Sequence, residues 1–330
     1  MPDLPLARLG NSILPGEAYL SDTPVLRAHA RTQPDLFLRW NEIPLAARAV
    51  DIAVHLHGFS QQGGAMPLAE KVARSGLDLA GRTRPTLAIL PRGNWIRHTW
   101  YDFPALLDGG IDRLVDYAFE HFAAAVAAAT PVTSGSMHPL TLPSPPLGER
   151  VEKGWRGVAE PYPVPGRPPA RAGVPGMGEG DMSRRLSVGR LILSAHSGGG
   201  MPAIDVIAGA RRVPDELFVF DGLYGRDPRS GDPLQGLEVI DSWLGDRLAR
   251  EPHRPGALRI VYIERQTGQF SRAVDAIIAR RLALADAELA PSLARRYRVE
   301  PSGVPHAYVA AICGPQLLTR PDAEFDWSQI

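Results

Sequence analysis

Short apolar runs alternate with amphipathic stretches along most of the chain. The runs are rich in Val, Ile, Leu and Phe, which is typical of strands in a mostly parallel sheet. We predict strands at 35–40, 50–57, 86–90, 190–195, 216–220, 258–264 and 296–300. The helical period between them predicts helices at about 65–79, 111–129, 200–211, 236–250, 271–289 and 306–319. The pattern therefore predicts an α/β fold, with a mostly parallel twisted sheet, helices on both faces and the site at the carboxyl ends of the strands.

One stretch interrupts this alternation. Residues 131–175 hold eleven of the 32 prolines and show neither the strand nor the helix period. Proline lacks an amide donor and has a fixed φ, so this stretch cannot join a sheet or continue a helix. We therefore predict a single domain over 1–330, carrying a Pro/Gly-rich, disordered insertion at 131–188. The sequence of this stretch resembles the translated intergenic repeats found inside some bacterial proteins, which would make it an accident of insertion. The functional alternative is a lid over the site.

Composition narrows the classes of function. The chain has 36 basic and 36 acidic side chains and no run of Lys or Arg, which disfavours a nucleic-acid partner. Cys313 is the only cysteine, so neither an internal disulfide nor a thiolate zinc site is expected. We see no apolar run of membrane-span length and no signal peptide, which makes a cytoplasmic location the expectation.

The segment "RLILSAHSGGGMPAIDV" carries the first candidate chemistry. It runs from a predicted strand through Ser197 into a predicted helix. A serine exposed on such a turn adopts a left-handed backbone and needs small residues two positions before and two after it, which Ala195 and Gly199 provide. The following helix offers its dipole and the Gly198 amide to a developing oxyanion. The segment is thus either a nucleophile turn or a phosphate-binding loop.

A second segment, "HLHGFSQQG" at 55–63, follows an earlier strand. Together, "HGF" and "SAHSGGG" resemble the corresponding motifs of the α/β-hydrolase superfamily over roughly 35–319, without the proline stretch. The resemblance implies an α/β-hydrolase-like fold and a serine hydrolase without a cofactor. It also implies an oxyanion hole built from the amides of Phe59 and Gly198, with Gly58 allowing the turn, and it identifies no substrate family.

A serine nucleophile requires a general base, and an acid that orients the base. "SGVPHAYVAAI" follows the last predicted strand, where the superfamily keeps its histidine, so His306 is the expected base. Two carboxylates compete as the acid. Asp221 leaves an apolar strand abruptly in "FVFDGLYG", whereas Glu264 lies inside a strand's period and precedes Arg265, a ready ion-pair partner. We favour Asp221 and keep Glu264 as the alternative.

Several residues near these loops are candidates for a substrate pocket. They lie next to Ser197 or on loops that follow the predicted strands 86–90 and 216–220, and they could bind an acyl or ring group. These candidates are Trp95, Trp100, Tyr101, Tyr224 and His196. For each aromatic residue, packing against the edge of its own domain is an equally good interpretation.

Rival interpretations use the same residues. Gly198, Gly200 and Ala203 match a Gly-x-Gly-x-x-Ala dinucleotide fingerprint, with Asp221 about 20 residues on, which would suit a Rossmann-type oxidoreductase. In that fold, however, the first glycine directly follows the strand. His55 and His57 share one side of a strand but lack further ligands at metal-binding spacing, so no metal is expected. A non-catalytic binding protein with the hydrolase fold is the third alternative.

The sequence therefore predicts a hydrolase that cleaves an ester, thioester or amide through an acyl-enzyme on Ser197. The expected partner is a small acyl substrate, and the oligomeric state stays open. Substrate identity does not follow from the fold, because function belongs to the site.

Overall fold

The computed structural model describes residues 4–29, 32–58, 66–96, 100–130, 186–225 and 234–329. The chain before Thr130 and after Leu186 forms one compact unit. Residues 131–185 of the predicted insertion lie outside the described residues. The last predicted insertion residues, 187–188, belong instead to a strand that begins at Ser187, three residues before the predicted start.

The main sheet has eight strands, numbered here in chain order. Their bounds are β1 Gly16–Leu20, β2 Leu36–Trp40, β3 Ala49–Leu56, β4 Thr86–Pro91, β5 Ser187–His196, β6 Glu216–Phe220, β7 Ala257–Tyr262 and β8 Tyr297–Pro301. The spatial order is β1-β2-β4-β3-β5-β6-β7-β8. Neighbours from β4 to β8 pair in parallel, and only β2 runs against the others. The sheet is of the α/β-hydrolase type, which confirms the predicted fold class.

Helices cover both faces of the sheet. Their bounds are α1 Leu68–Ser75, α2 Gly110–Ala129, α3 Gly200–Gly209, α4 Leu237–Arg250, α5 Glu264–Leu282, α6 Ala290–Arg296 and α7 Val309–Thr319. α1 and α7 bury their apolar residues in the core on one face, and α2 to α6 bury theirs in the core on the other. Within the described ranges, no helix is both long and apolar enough to cross a bilayer.

The central strands show why the sheet must be covered twice. In β5, Leu191 and Leu193 face one core while Ile192 faces the other, and all three are at most 1% exposed. A strand that is apolar on both sides is stable only between two layers, and each fully buried Leu or Ile contributes roughly 1.5–3 kcal/mol. The carboxyl ends of β3, β5 and β6 are thereby held side by side.

Smaller strands complete the structure. Arg8–Leu9, Ser12–Ile13 and Ile43–Pro44 form a three-stranded sheet, and Asn94–Ile96 pairs with Trp100–Asp102 in a hairpin after β4.

The predicted boundary between β7 and α5 is wrong. The helix predicted over 271–289 begins at Glu264 and ends at Leu282, and β7 stops at Tyr262. Glu264 therefore opens a helix and does not end a strand.

Candidate active site

The turn after β5 places Ser197 at the edge of the sheet. Ser197 to Gly199 form one 3-10 turn, α3 follows at once, and Ser197 has a φ of 52°. That left-handed backbone is uncommon for any residue but glycine and marks a constrained site. A Cβ on Gly199 would lie 2.2 Å from the Leu56 carbonyl oxygen, so the turn is tight against β3. Such a turn presents the serine hydroxyl at the carboxyl end of the strand.

His306 approaches this hydroxyl from the other end of the chain. It follows β8 and Pro305 and begins a 3-10 turn that leads into α7. The Ser197 hydroxyl lies 2.9 Å from His306 Nε2, the correct distance for donation to a neutral imidazole. The predicted pair of serine and histidine is thus brought together across 109 positions of sequence.

Asp221 completes the row of side chains. It follows β6 in a left-handed conformation with a φ of 46°, and its Oδ2 accepts the His306 Nδ1 proton at 2.6 Å. Oδ1 accepts the Ile263 N–H at 2.8 Å and the Thr267 hydroxyl at 2.5 Å. Burial alone would raise the pKa of Asp221, but the hydrogen bonds from His306, Thr267 and Ile263 outweigh burial and lower it. The carboxylate is therefore held ionised beside the imidazole.

Glu264 does not reach these residues. Its side chain is 63% exposed and forms an ion pair with Arg272, which lies further along α5. The alternative acid is thus placed on the outside of the helix. Arg265, the partner expected from the sequence, is not the one it contacts.

Two further predicted residues flank the row. His196 Nε2–H donates to the His306 carbonyl at 2.9 Å, and the two rings lie 5.0 Å apart. Burial and the neighbouring His306 lower the pKa of His196 to about 4, so its ring stays neutral. The Tyr224 hydroxyl lies 3.4 Å from Ser197 Oγ, and burial raises the pKa of Tyr224 to about 12. Both residues therefore act as neutral hydrogen-bonding groups near the serine.

The other pocket candidates are less defined. Trp95, Trp100 and Tyr101 lie on the hairpin after β4, and their side chains fall outside what the structure describes. Phe103 from the same loop is fully buried against the rings of His57 and His29, so it belongs to the core.

The loop after β3 lies against the serine. A Cβ on Gly58 would lie 2.5 Å from the Ser197 Cβ, so only glycine fits there. Gly198 follows Ser197 inside the 3-10 turn, directly before α3. Phe59, the other predicted amide donor, lies outside the described residues.

A buried lysine supports this loop, and sequence reasoning missed it. Lys71 is 3% exposed, and its Nζ donates to the Gly58 carbonyl at 2.7 Å. The signal was available: in α1 the buried positions are Leu68, Lys71, Val72 and Ser75, a helical stripe in which a lysine is out of place. Thr267, which contacts Asp221, was also missed, because its position depends on where α5 begins.

The residues of the rival interpretations have structural roles. A Cβ on Gly200 would lie 2.2 Å from the Gly222 carbonyl oxygen, so that glycine lets α3 pack against the loop after β6. The Asp221 carboxylate binds His306, and the strand order differs from the Rossmann order of 3-2-1-4-5-6.

The two strand histidines are both buried and hydrogen-bonded. His55 Nδ1 lies 2.8 Å from the Ser194 hydroxyl, and the Gly93 N–H donates to His57 Nε2 at 3.0 Å. Among the residues with described positions, no group of three or more His, Cys, Asp or Glu side chains is arranged to hold a metal ion.

No protein-family model and no curated protein matches the chain. Several solved structures do. A ferulic acid esterase has 11% identity and a TM-score of 0.39 over 95% of this chain and 99% of its own. An S-formylglutathione hydrolase from Agrobacterium tumefaciens has 8% identity and a TM-score of 0.37 over 98% and 99%. A siderophore hydrolase from Aspergillus nidulans has 14% identity and a TM-score of 0.36 over 95% of each chain. At TM-scores this low the likenesses carry no weight on their own, and the chemistry must be inferred from the site.

Proposed function

We propose that this protein is a serine hydrolase that cleaves an ester, thioester or amide bond through an acyl-enzyme on Ser197. The observation that carries the proposal is the unbroken row of hydrogen bonds from Ser197 to His306 at 2.9 Å and from His306 to Asp221 at 2.6 Å. A serine hydroxyl is a weak nucleophile unless a base in contact takes its proton. Here the base contacts the hydroxyl, and an acid contacts the base.

Acylation begins when Ser197 Oγ attacks the carbonyl carbon of the substrate. The serine proton passes to His306 Nε2, and the imidazolium that forms is stabilised by Asp221. The tetrahedral intermediate then collapses, and the Nε2 proton goes to the leaving group. Deacylation follows the same path with water as the nucleophile: His306 Nε2 takes a proton from the water that attacks the acyl carbon. When this second intermediate collapses, the bond to Ser197 Oγ breaks, the Nε2 proton returns to Oγ, and the acid product leaves. The chemistry uses only the chain's own groups and needs no cofactor.

The negative charge of the intermediate needs donors in place before it develops. We assign this role to the amides of Gly198 and Phe59, because Gly198 follows the nucleophile and Gly58 lies against it. Donors that are already oriented act without reorganising during the reaction, and loss of one such donor typically slows turnover by about 100 to 1,000-fold.

His196 and Tyr224 have supporting parts in this proposal. His196 donates to the backbone carbonyl of His306, which keeps the imidazole aligned. Tyr224 is placed to donate to Ser197 Oγ or to an oxygen of a bound substrate, since its hydroxyl stays protonated through the neutral range.

Labelling with a fluorophosphonate tests the proposal. Such probes react covalently with activated serines, so peptide mapping should find the adduct on Ser197 in the wild-type protein and none in His306→Ala. If neither the wild type nor His306→Ala reacts with the probe, and the protein binds NADH tightly in a fluorescence titration, the oxidoreductase is favoured. If neither protein reacts and NADH does not bind, the non-catalytic binding protein is the remaining alternative.

A further inference from the structure

Lys71 is the most unusual buried residue near the proposed site. It occupies the core-facing stripe of α1 and is 3% exposed. Burying an ammonium is unfavourable unless strong acceptors receive it. One acceptor is the Gly58 carbonyl, at 2.7 Å from Nζ. A lysine at a position where leucine would pack more favourably therefore points to a role in the loop that it contacts.

The same carbonyl receives a second donor. The Gly93 N–H donates to His57 Nε2 at 3.0 Å, which leaves the His57 proton on Nδ1. That Nδ1–H lies 3.1 Å from the Gly58 oxygen. Two buried donors thus converge on one carbonyl, and neither of them is part of the row Ser197, His306 and Asp221.

The direction of this carbonyl matters to the nucleophile. A Cβ on Gly58 would lie 2.5 Å from the Ser197 Cβ and 3.2 Å from its Oγ, so the backbone of Gly58 is next to the reacting hydroxyl. A carbonyl oxygen carries partial negative charge, so a Gly58 carbonyl turned toward Ser197 would repel an oxyanion that forms there. Buried donors that hold this carbonyl elsewhere prevent that repulsion.

We propose that Lys71 is a positioning residue for acyl transfer: with His57 it holds the Gly58 carbonyl away from Ser197, where that carbonyl would repel the oxyanion. This proposal rests on the proposed hydrolase function, and its tests below separate the two. It adds a pH-dependent group to a site whose buried histidines, His57 and His196, remain neutral.

Several groups around Lys71 decide its charge. Burial and the charge of nearby Arg92 together lower the pKa of Lys71 to about 7. The charged and titratable groups that face it from β3, β4, β5 and its own helix are His57, Arg92, His196, Arg74 and Glu70. Below its pKa the ammonium is a strong, charge-assisted donor to Gly58, and above its pKa the neutral amine is a weak one. Activity should therefore fall on the alkaline side as Lys71 loses its proton.

Kinetics with an activated ester such as p-nitrophenyl acetate test this. In Lys71→Met we expect kcat to fall by roughly 10 to 100-fold with KM nearly unchanged, and the alkaline decline to disappear. Lys71→Arg keeps a cation that does not titrate, so it should retain most of kcat and also lack the decline. Lys153→Met, at the only other lysine of the chain, is the matched control and should behave as the wild type. An unchanged kcat and pH profile in both Lys71 variants would overturn the proposal.

A second measurement needs no turnover. Gly58–Phe59 is the only Gly-Phe pair in the chain, so ¹³C′-glycine with ¹⁵N-phenylalanine labelling isolates this one peptide bond in an NMR spectrum. Its carbonyl shift should titrate with a midpoint near the pKa of Lys71, about 7, in the wild type and stay flat in Lys71→Met. A flat carbonyl shift in the wild type would overturn the role of Lys71, even if Ser197 reacts with a fluorophosphonate. A titrating shift in a protein whose Ser197 does not react would contradict only the hydrolase function.

Discussion

The two ends of the sheet bury charge in different ways. At the amino ends of the strands, Asp51 binds the guanidinium groups of Arg82 and Arg84, and Asp215 binds those of Arg247 and Arg254. Arginine keeps its charge at any ordinary pH, so these carboxylates are paired permanently. Such pairs exchange no proton near neutral pH.

At the carboxyl ends the cation partners can lose their protons. Asp221 is bound to an imidazole and a hydroxyl, and the nearby buried cation is a lysine whose pKa burial lowers to about 7. Groups of this kind can take or release a proton near neutral pH, which acyl transfer requires. Under the proposed function, the amino ends of the strands contribute stability and the carboxyl ends contribute the chemistry.

Removal of the nucleophile should give the largest effect. Ser197→Ala and His306→Ala should each reduce kcat/KM on an activated ester by on the order of 10⁴ to 10⁶-fold, because the members of such a row act as a unit. The double variant should be no slower than either single variant. The free energy of unfolding, measured by urea denaturation, should change little in Ser197→Ala. Activity of Ser197→Ala within tenfold of the wild type would contradict the assignment.

The choice of acid gives the next effect. Asp221→Asn should lower kcat by about 10³ to 10⁴-fold, since the amide cannot stabilise the imidazolium or hold its tautomer. Glu264→Gln is the matched control and should stay within twofold of the wild type, because Glu264 is exposed and bound to Arg272. Steady-state kinetics of the two variants compare the alternatives directly. A larger loss in Glu264→Gln would reverse the assignment.

The opposite end of the sheet should respond in stability. Asp51→Asn leaves Arg82 buried without its carboxylate and should lower the free energy of unfolding by about 3–5 kcal/mol. kcat per folded molecule should be unchanged, which urea denaturation and active-site titration measure together. A fall in kcat without a loss of stability would break the division between the two ends.

The same carboxylate sets a pH dependence. Burial raises the pKa of Asp51, but hydrogen bonds from Arg84 and the Arg190 N–H, with the charge of Arg82, outweigh burial and lower it below 3.8. The unfolded chain then binds the proton first, so the stability from Asp51 is present above about pH 3.8 and is lost as the pH falls further. In Asp51→Asn the free energy of unfolding should therefore lack this part of its decrease at acid pH.

Tyr224 gives the smallest expected effect. Its hydroxyl lies 3.4 Å from Ser197 Oγ, a weak contact, so Tyr224→Phe should reduce kcat by about 2 to 10-fold. Tyr19→Phe is a suitable control because Tyr19 lies on β1 at the far edge of the sheet and is similarly exposed. A loss above 100-fold in Tyr224→Phe would give this tyrosine a direct part in the chemistry.

Much of this architecture could be predicted from the alternation of apolar runs. The strands from β2 to β8 were expected, because a parallel strand between two helical layers must be apolar throughout. β1 was missed: in "GEAYL" the exposed Glu17 and Tyr19 alternate with the buried Ala18 and Leu20, as in an edge strand, so the segment is not an apolar run. The start of α5 was missed because Gly268 and its polar neighbours weaken the helical pattern between Glu264 and Phe270.

The residues of the candidate site also divide into those that could be predicted from the sequence and those that could not. Ser197 and His306 could be placed because each stands alone at the end of a strand with a characteristic local motif. The acid could not be decided from the residues, because the choice depends on where β7 ends and on the Thr267 hydroxyl, which contacts Asp221 from a separate helix. The burial of Lys71 could have been predicted from the apolar stripe of α1, but its contact with the Gly58 carbonyl could not, because that carbonyl belongs to the loop after β3 and not to α1.

Acid-quench mass spectrometry tests the central claim most directly. The wild-type protein is mixed with p-nitrophenyl acetate, quenched in acid within milliseconds and digested, and the peptide that contains Ser197 is examined. We expect one acetyl group on Ser197, appearing with a burst of nitrophenol, and a lower occupancy in Asp221→Asn. Hydrolysis without any acetyl-Ser197, or an acetyl group on another residue that turns over at the steady-state rate, would contradict the account.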